Sequence, residues 1–132
     1  MAHGTLAESL VECAAHVLGR RPAGLATLDF MGHADPEERQ RALQSRLAEL
    51  DQGEGVLVLA DIYGATPCNT LCRSLAPGHV EGVAGVNLPM LLKALNYRDS
   101  LPLPQLVERI VNGGRASINH ISEIMCNAAK GN

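Results

Sequence analysis

Aromatic side chains are nearly missing from this sequence: Phe30, Tyr63 and Tyr97 make up 2% of it, and tryptophan is absent. So little ring surface excludes a stacking platform for single-stranded nucleic acid or for a flavin. A basic excess is missing too. With 11 Lys and Arg against 14 Asp and Glu, the formal net charge is −3. A nucleic-acid binder would show a basic face or stripe. The two signs are interspersed, so no polybasic membrane patch forms. No apolar run approaches the ~18 residues that span a bilayer, and no charged segment followed by an apolar one marks an export signal. These absences predict a cytoplasmic protein with no nucleic-acid partner and no direct membrane insertion.

Cysteine is scarce as well. Of the four, only Cys68 and Cys72 lie close, at i and i+4. That spacing could place two ligands on one helix face, but no His or carboxylate cluster accompanies it. We therefore expect buried free thiols and no metal site. A disulfide is not expected in a reducing cytosol. What is present is an ordinary globular balance, 46% hydrophobic and 19% charged over 132 residues. That length suits one domain, residues 1–132, able to bury roughly two-thirds of its unfolded surface.

Strand and helix signals alternate along the chain. Thr5 to about Gly19 reads as a helix, with capping-box spacing at Thr5 and Glu8 and an apolar face of Leu6, Leu10, Cys13 and Val17. Ala23–Phe30 reads as a strand. Asp35-Pro36-Glu37-Glu38 starts a second helix: an acceptor at the cap, proline at the first helical position, then acids. Leu43, Leu47 and Leu50 form its stripe, while Arg39, Gln40, Arg41, Gln44 and Arg46 make a wet face. The continuous apolar run Gly55–Ala60 suits a central parallel strand covered on both faces. A helix follows near Thr66-Pro67, then a strand over Val80–Val86, a helix from Asn87-Leu88-Pro89 through Leu95, and another carrying Leu103, Leu106, Val107, Ile110 and Val111. Beyond Gly113-Gly114, Ile118, Ile121 and Met125 fit a further helix, with a short strand near Arg115–Asn119 as the alternative. The fold class is α/β: a doubly wound, mostly parallel sheet with helices on both faces, a flavodoxin-like three-layer sandwich.

In such sheets function gathers at the strand-to-helix junctions of the switch point. His3 stands just before a helix start, beside free N–H groups and the positive dipole end, which suit an arriving phosphate. Position alone also fits a frayed surface histidine. Asp61, after the most buried strand, could fix one nitrogen of His3 and leave the other to attack; it could equally close an Asx-turn. Gly64 and Ala65 form a small-residue bend, and Thr66 could cap a helix or hold a phosphate oxygen. Asn87 reads as an N-cap. His79 and His120 show no partner pattern.

Four segments, in order, resemble the mannose-family enzyme IIA domain of the bacterial phosphoenolpyruvate-dependent sugar phosphotransferase system. They are His3-Gly4 with Leu6-Ala7 and Leu10, then Asp61-Ile62-Tyr63-Gly64-Ala65-Thr66-Pro67-Cys68-Asn69, then Gly85-Val86-Asn87-Leu88-Pro89-Met90-Leu91, and finally Gly113-Gly114-Arg115. The resemblance implies a phosphohistidine carrier. Phospho-HPr would donate to Nε2 of His3, and a IIB component would take the group for sugar uptake or regulation. Asp61 would hold Nδ1. Gly4, Gly64, Ala65 and Thr66 would bind the phosphate. It further implies a homodimer and no metal or other cofactor.

Two departures stand out. Ala65 replaces a frequent second glycine. The apolar strand that precedes the histidine is cut short, with only Met1 and Ala2 before His3. A start codon set too far downstream accounts for that, or another segment or a second subunit fills the place. The rival functions are a dihydroxyacetone kinase phosphoryl-transfer subunit, disfavoured by Asn87-Leu88-Pro89-Met90, and a non-catalytic flavodoxin-like ligand-binding or interaction module. The latter would want a phosphate-cradling glycine fingerprint that is absent.

Overall fold

The computed structural model describes residues 1–33 and 35–122. In chain order its elements are α1 (Leu6–Leu18), α2 (Pro36–Leu50), β1 (Val56–Ala60), α3 (Ala65–Cys72), β2 (Val80–Ala84), α4 (Leu88–Tyr97) and α5 (Leu103–Ala116). β1 and β2 pair in parallel, Val56 opposite Val80 through Ala60 opposite Ala84. The side chains of β1 alternate between the two faces, as the pleat requires, and each face carries its own apolar cluster. On one side Leu57 and Leu59 pack against Val83, Met90, Ala94, Leu106 and Ile110, drawn largely from α4 and α5. On the other, Val58 and Val80 meet Leu43 of α2 and Leu71 of α3. The result is a parallel sheet between two helix layers, the α/β class expected.

Several elements form for the reasons their residues suggest. Asp35 accepts from the Glu37 N–H at 3.2 Å with proline in the first turn, which starts α2, and Asn87 accepts from the Met90 N–H at 2.9 Å, which starts α4. Such caps each contribute about 1 kcal/mol. Others correct the sequence reading. Thr5 makes no side-chain cap bond; Glu8 instead reaches Arg21 and Thr27. The buried face of α1 holds Val11 and Ala14, while Leu6 and Val17 are exposed and Cys13 is too. Periodicity located a helix but not which stripe the sheet would cover. Gln40 is buried and donates to Ser74 Oγ at 2.7 Å, so it leaves the wet face of α2. Cys72 is exposed, not buried; the side chain of Cys68 lies outside the described residues.

Residues 23–30 form no strand. They carry one parallel bridge, Ala2 to Asp29, because among the described residues Ala2 alone offers them a ladder. Ala2 N–H donates to Leu28 O at 3.0 Å, and Phe30 N–H donates to Ala2 O at 3.0 Å. On its other side the Met1 amino group donates to Leu59 O at 2.7 Å. The first two residues are thus wedged between β1 and residues 28–30. Gly113 and Gly114 do not end α5, which runs on to Ala116. A Cβ on Gly114 would come within 2.7 Å of Met90 Cε. The pair lets α5 lie close on α4, a packing use of glycine in a helix. No strand forms over 115–119; Met125 lies outside the described residues. Among the described residues no helix is long and apolar enough to cross a membrane.

Candidate functional site

The wedge at Met1-Ala2 delivers His3 to the C-terminal end of β1, where Asp61 emerges. Asp61 Oδ2 accepts twice from His3, from the backbone N–H at 2.9 Å and from Nδ1 at 2.8 Å. Its other oxygen accepts from the Ile62 N–H at 2.8 Å. Burial alone would raise the carboxyl's pKa. The His3 N–H, the His3 ring and the Ile62 N–H outweigh it, and the group sits below its usual value. Asp61 is therefore a charged acceptor, with its side chain 11% exposed against 46% for His3.

The ring geometry follows from those bonds. With Nδ1–H directed at the carboxylate, Nε2 carries the lone pair and faces outward. Among the described residues Nε2 has no hydrogen-bond partner. The Phe30 ring lies 6.1 Å from the imidazole, centroid to centroid and tilted by 36°, and limits the ring from one side. Two helices begin within four residues of this contact, α1 at Leu6 and α3 at Ala65. Neither the N-cap of α1, Thr5, nor that of α3, Gly64, makes a side-chain cap bond. Such N-termini attract anions.

Of the residues expected to act together, the structure brings His3 and Asp61 into direct contact. Gly64 is the extended N-cap of α3, three residues from Asp61, with Ala65 and Thr66 in the first turn; the side chains of Ala65 and Thr66 lie outside the described residues. Gly4 takes φ +58°, a turn that favours glycine, and its N–H is held by Asp29 Oδ1 at 2.8 Å. Sequence reasoning missed Asp29. The same oxygen accepts from the Met31 N–H at 2.8 Å, so one carboxylate ties the histidine turn to the next loop. It missed Phe30 as well. Neither residue belongs to a motif; only the pairing of residue 2 with residue 29 brings them in.

This geometry is a histidine fixed by one carboxylate at the mouth of a parallel sheet, with a second nitrogen open to solvent. Residues 1–111 match the family described as PTS system fructose IIA component, EIIA-man. The chain belongs to this family. It is 36% identical over 118 residues to the PTS system mannose-specific EIIAB component of Escherichia coli, an alignment covering 88% of this chain and 36% of that protein. The chain thus spans about a third of that relative's length. It is 30% identical over 122 residues to the PTS system fructose-specific EIIA component of Bacillus subtilis, covering 92% of this chain and 83% of the other. Among solved structures, the mannose/sorbose-specific IIA subunit of Enterococcus faecalis superposes with a TM-score of 0.77 at 25% identity, covering 91% of this chain and 89% of that one. This EIIA component is therefore of the mannose/fructose type, with the flavodoxin-like architecture of its structural neighbours.

Proposed function

We propose that this EIIA component carries a phosphoryl group on Nε2 of His3, taken from phospho-HPr and passed to a IIB component. The observation that carries the reading is the 2.8 Å contact of Nδ1 with Asp61. It selects the tautomer whose free lone pair is on the exposed nitrogen. In the transfer the Nε2 lone pair forms a bond to phosphorus as the donor's N–P bond breaks, and the donor imidazole leaves with that electron pair. The phosphorylated ring keeps its Nδ1 proton and gains positive charge, which the Asp61 carboxylate offsets. Return of the group to a IIB histidine or cysteine reverses the same steps.

Backbone N–H groups at Gly64, Ala65 and Thr66, with the Thr66 hydroxyl, hold the phosphate oxygens at the start of α3. Gly4 joins them by exchanging Asp29 for a phosphate oxygen. The reaction needs alignment and charge stabilisation and no resident metal, because the donor is already activated. A protein partner also fits the surroundings. Met31, Ile62, Tyr63 and Leu6 are exposed apolar side chains adjoining Phe30, Asp61 and Gly4 in sequence, the composition of a docking rim. A homodimer belongs to this proposal too.

The test is incubation with phosphoenolpyruvate, enzyme I and HPr, followed by mapping of the label. We expect one acid-labile, base-stable phosphate on His3, discharged by a IIB protein. Label that persists on another histidine in His3→Ala would reject the assignment.

A further inference from the structure

Two carboxylates, not one, grip the backbone around the histidine. The His3 N–H donates to Asp61 Oδ2 at 2.9 Å, and the next N–H along the chain, that of Gly4, donates to Asp29 Oδ1 at 2.8 Å. The two acids arrive from opposite flanks. Asp61 follows β1, to which Met1 is bonded, whereas Asp29 is bridged to Ala2 on the other side.

The pair is not equivalent. Asp61 also holds Nδ1 at 2.8 Å, so its charge faces the ring. Asp29 meets no side-chain donor; its second bond comes from the Met31 N–H, at 2.8 Å and again on Oδ1. Among the described residues Oδ2 accepts no hydrogen bond, and no cation stands within ion-pair distance of either oxygen. A carboxylate is ionised at neutral pH. Asp29 thus brings to the histidine turn a negative charge that no described side chain offsets.

The turn itself does not need that charge. An oxygen at one residue bonded to the N–H two residues on is an Asx-turn, which asparagine closes as aspartate does. One amide oxygen also has lone pairs for both N–H groups. The chemistry is where the charge counts. Uptake breaks the donor's N–P bond, forms one at Nε2 and moves no proton. The ring turns positive, and Asp61 faces it. The phosphate oxygens bring about two negative charges, and one of them competes with Oδ1 for the Gly4 N–H. An oxygen that takes this bond stands where Oδ1 stands now, so two anions become neighbours and repel.

We propose that Asp29 sets the transfer potential of the phosphoryl group on His3. Its charge keeps the phosphorylated protein less stable than His3, Asp61 and the N–H groups of α3 alone would make it. The group therefore passes on to a IIB component and is not retained. Asp29 is in this sense a positioning residue that acts through the Gly4 N–H and through its charge. The inference rests on the phosphocarrier reading and adds to it what limits the occupancy of the site.

The test measures the equilibrium constant for phosphoryl exchange between HPr and this protein, approached from phospho-HPr and from the phosphorylated protein. Asp29→Asn keeps an acceptor for both N–H groups and removes the charge. Asp29→Ser is a second neutral variant, closing the same turn through its hydroxyl. Asp51→Asn removes a carboxylate at the far end of β1 as the control. At low salt we expect both Asp29 variants to shift the constant toward the phosphorylated protein by about fivefold or more. The shift should shrink to about twofold at ~0.5 M salt, and Asp51→Asn should leave the constant unchanged. A merely structural Asp29 would change forward and reverse rates by one factor and leave the constant where it was. That result, or an equal shift in Asp51→Asn, overturns the proposal while His3 still takes the label. Absence of label on His3 in the wild-type protein overturns it together with the phosphocarrier reading.

Discussion

Two histidine–aspartate pairs among the described residues stand one at each end of β1, His3 with Asp61 and His79 with Asp51, and they differ in what they leave exposed. At the C-terminal end His3 gives Nδ1 to Asp61 at 2.8 Å and turns Nε2 outward. At the N-terminal end His79 gives Nε2 to Asp51 at 2.7 Å, leaving Nδ1, the nitrogen nearest its own backbone. Asp51 also accepts from the Gly53 and Gly55 N–H groups, so it closes the turn from α2 into β1. Its side chain is 27% exposed against 11% for Asp61. The pairs look alike as distances. Only the first presents an accessible ring nitrogen where helices begin, and that is where parallel sheets bind ligands. A histidine beside a carboxylate is therefore no site by itself; the nitrogen left over decides.

The largest effect should separate the two histidines outright. His3→Ala should lower phosphoryl uptake by about 10³-fold or more, whereas His79→Ala should keep uptake within about twofold and only lower Tm by a few degrees. Uptake lost in both variants would erase the distinction. Next comes the carboxylate. Asp61→Asn preserves shape but no longer dictates the tautomer or offsets ring charge, and should slow transfer by about 10²-fold or more. Rapid-quench labelling from phospho-HPr measures it, and Asp51→Asn is the control expected to transfer at the wild-type rate. Asp29 ranks third. Asp29→Ala frees the Gly4 and Met31 N–H groups and should cost about 1–2 kcal/mol of stability. It should slow transfer about tenfold by loosening the histidine turn, with Asp29→Asn restoring part of the stability; a rate unchanged in Asp29→Ala would confine this residue to a structural part.

How much of this was legible in the residues follows from the range of each interaction. The cap of α2, the cap of α4 and the run of β1 rest on neighbours a few positions apart, and they stand where local rules put them. His3 and Asp61 were legible as strand-to-helix junctions, since topology alone carries such positions to one edge. Asp29 and Phe30 were not, because their part depends on Ala2 bridging across 27 residues of chain. The same bridge explains why residues 23–30 fail as a strand: an extended, half-apolar segment still needs a partner along its length, and it has one residue. The face of α1 was misread because Leu6, Leu10, Cys13 and Val17 are as regular a stripe as the one holding Val11 and Ala14, and the sheet's position chooses between them. Gly113-Gly114 read as a stop because a close approach by Met90 is invisible to propensity.

The smallest expected effect sharpens the comparison through pH. Both carboxyls have pKa values below the usual one, for reasons that differ in kind. For Asp61, burial pushes upward and is overcome by the His3 N–H, the His3 ring and the Ile62 N–H. For Asp51, the Gly53 N–H is the leading cause, aided by His79 and Gly55 against a smaller cost of burial. In each case folding favours the charged form. Its contribution is therefore whole above the unfolded carboxylate value of about 4 and is lost as pH falls through the lower folded value. Tm measured from pH 7 down to pH 2.5 should thus show Asp61→Asn and Asp51→Asn each converging on wild type only at the acid end. Adding His3→Ala removes one of the donors that keep Asp61 charged, so the Asp61 convergence should move to higher pH. Adding His79→Ala should move that of Asp51 less, because Gly53 holds the same carboxylate without the ring. Equal movements in the two double variants would mean that the imidazole matters alike at both ends, and that the difference between the pairs lies in exposure alone.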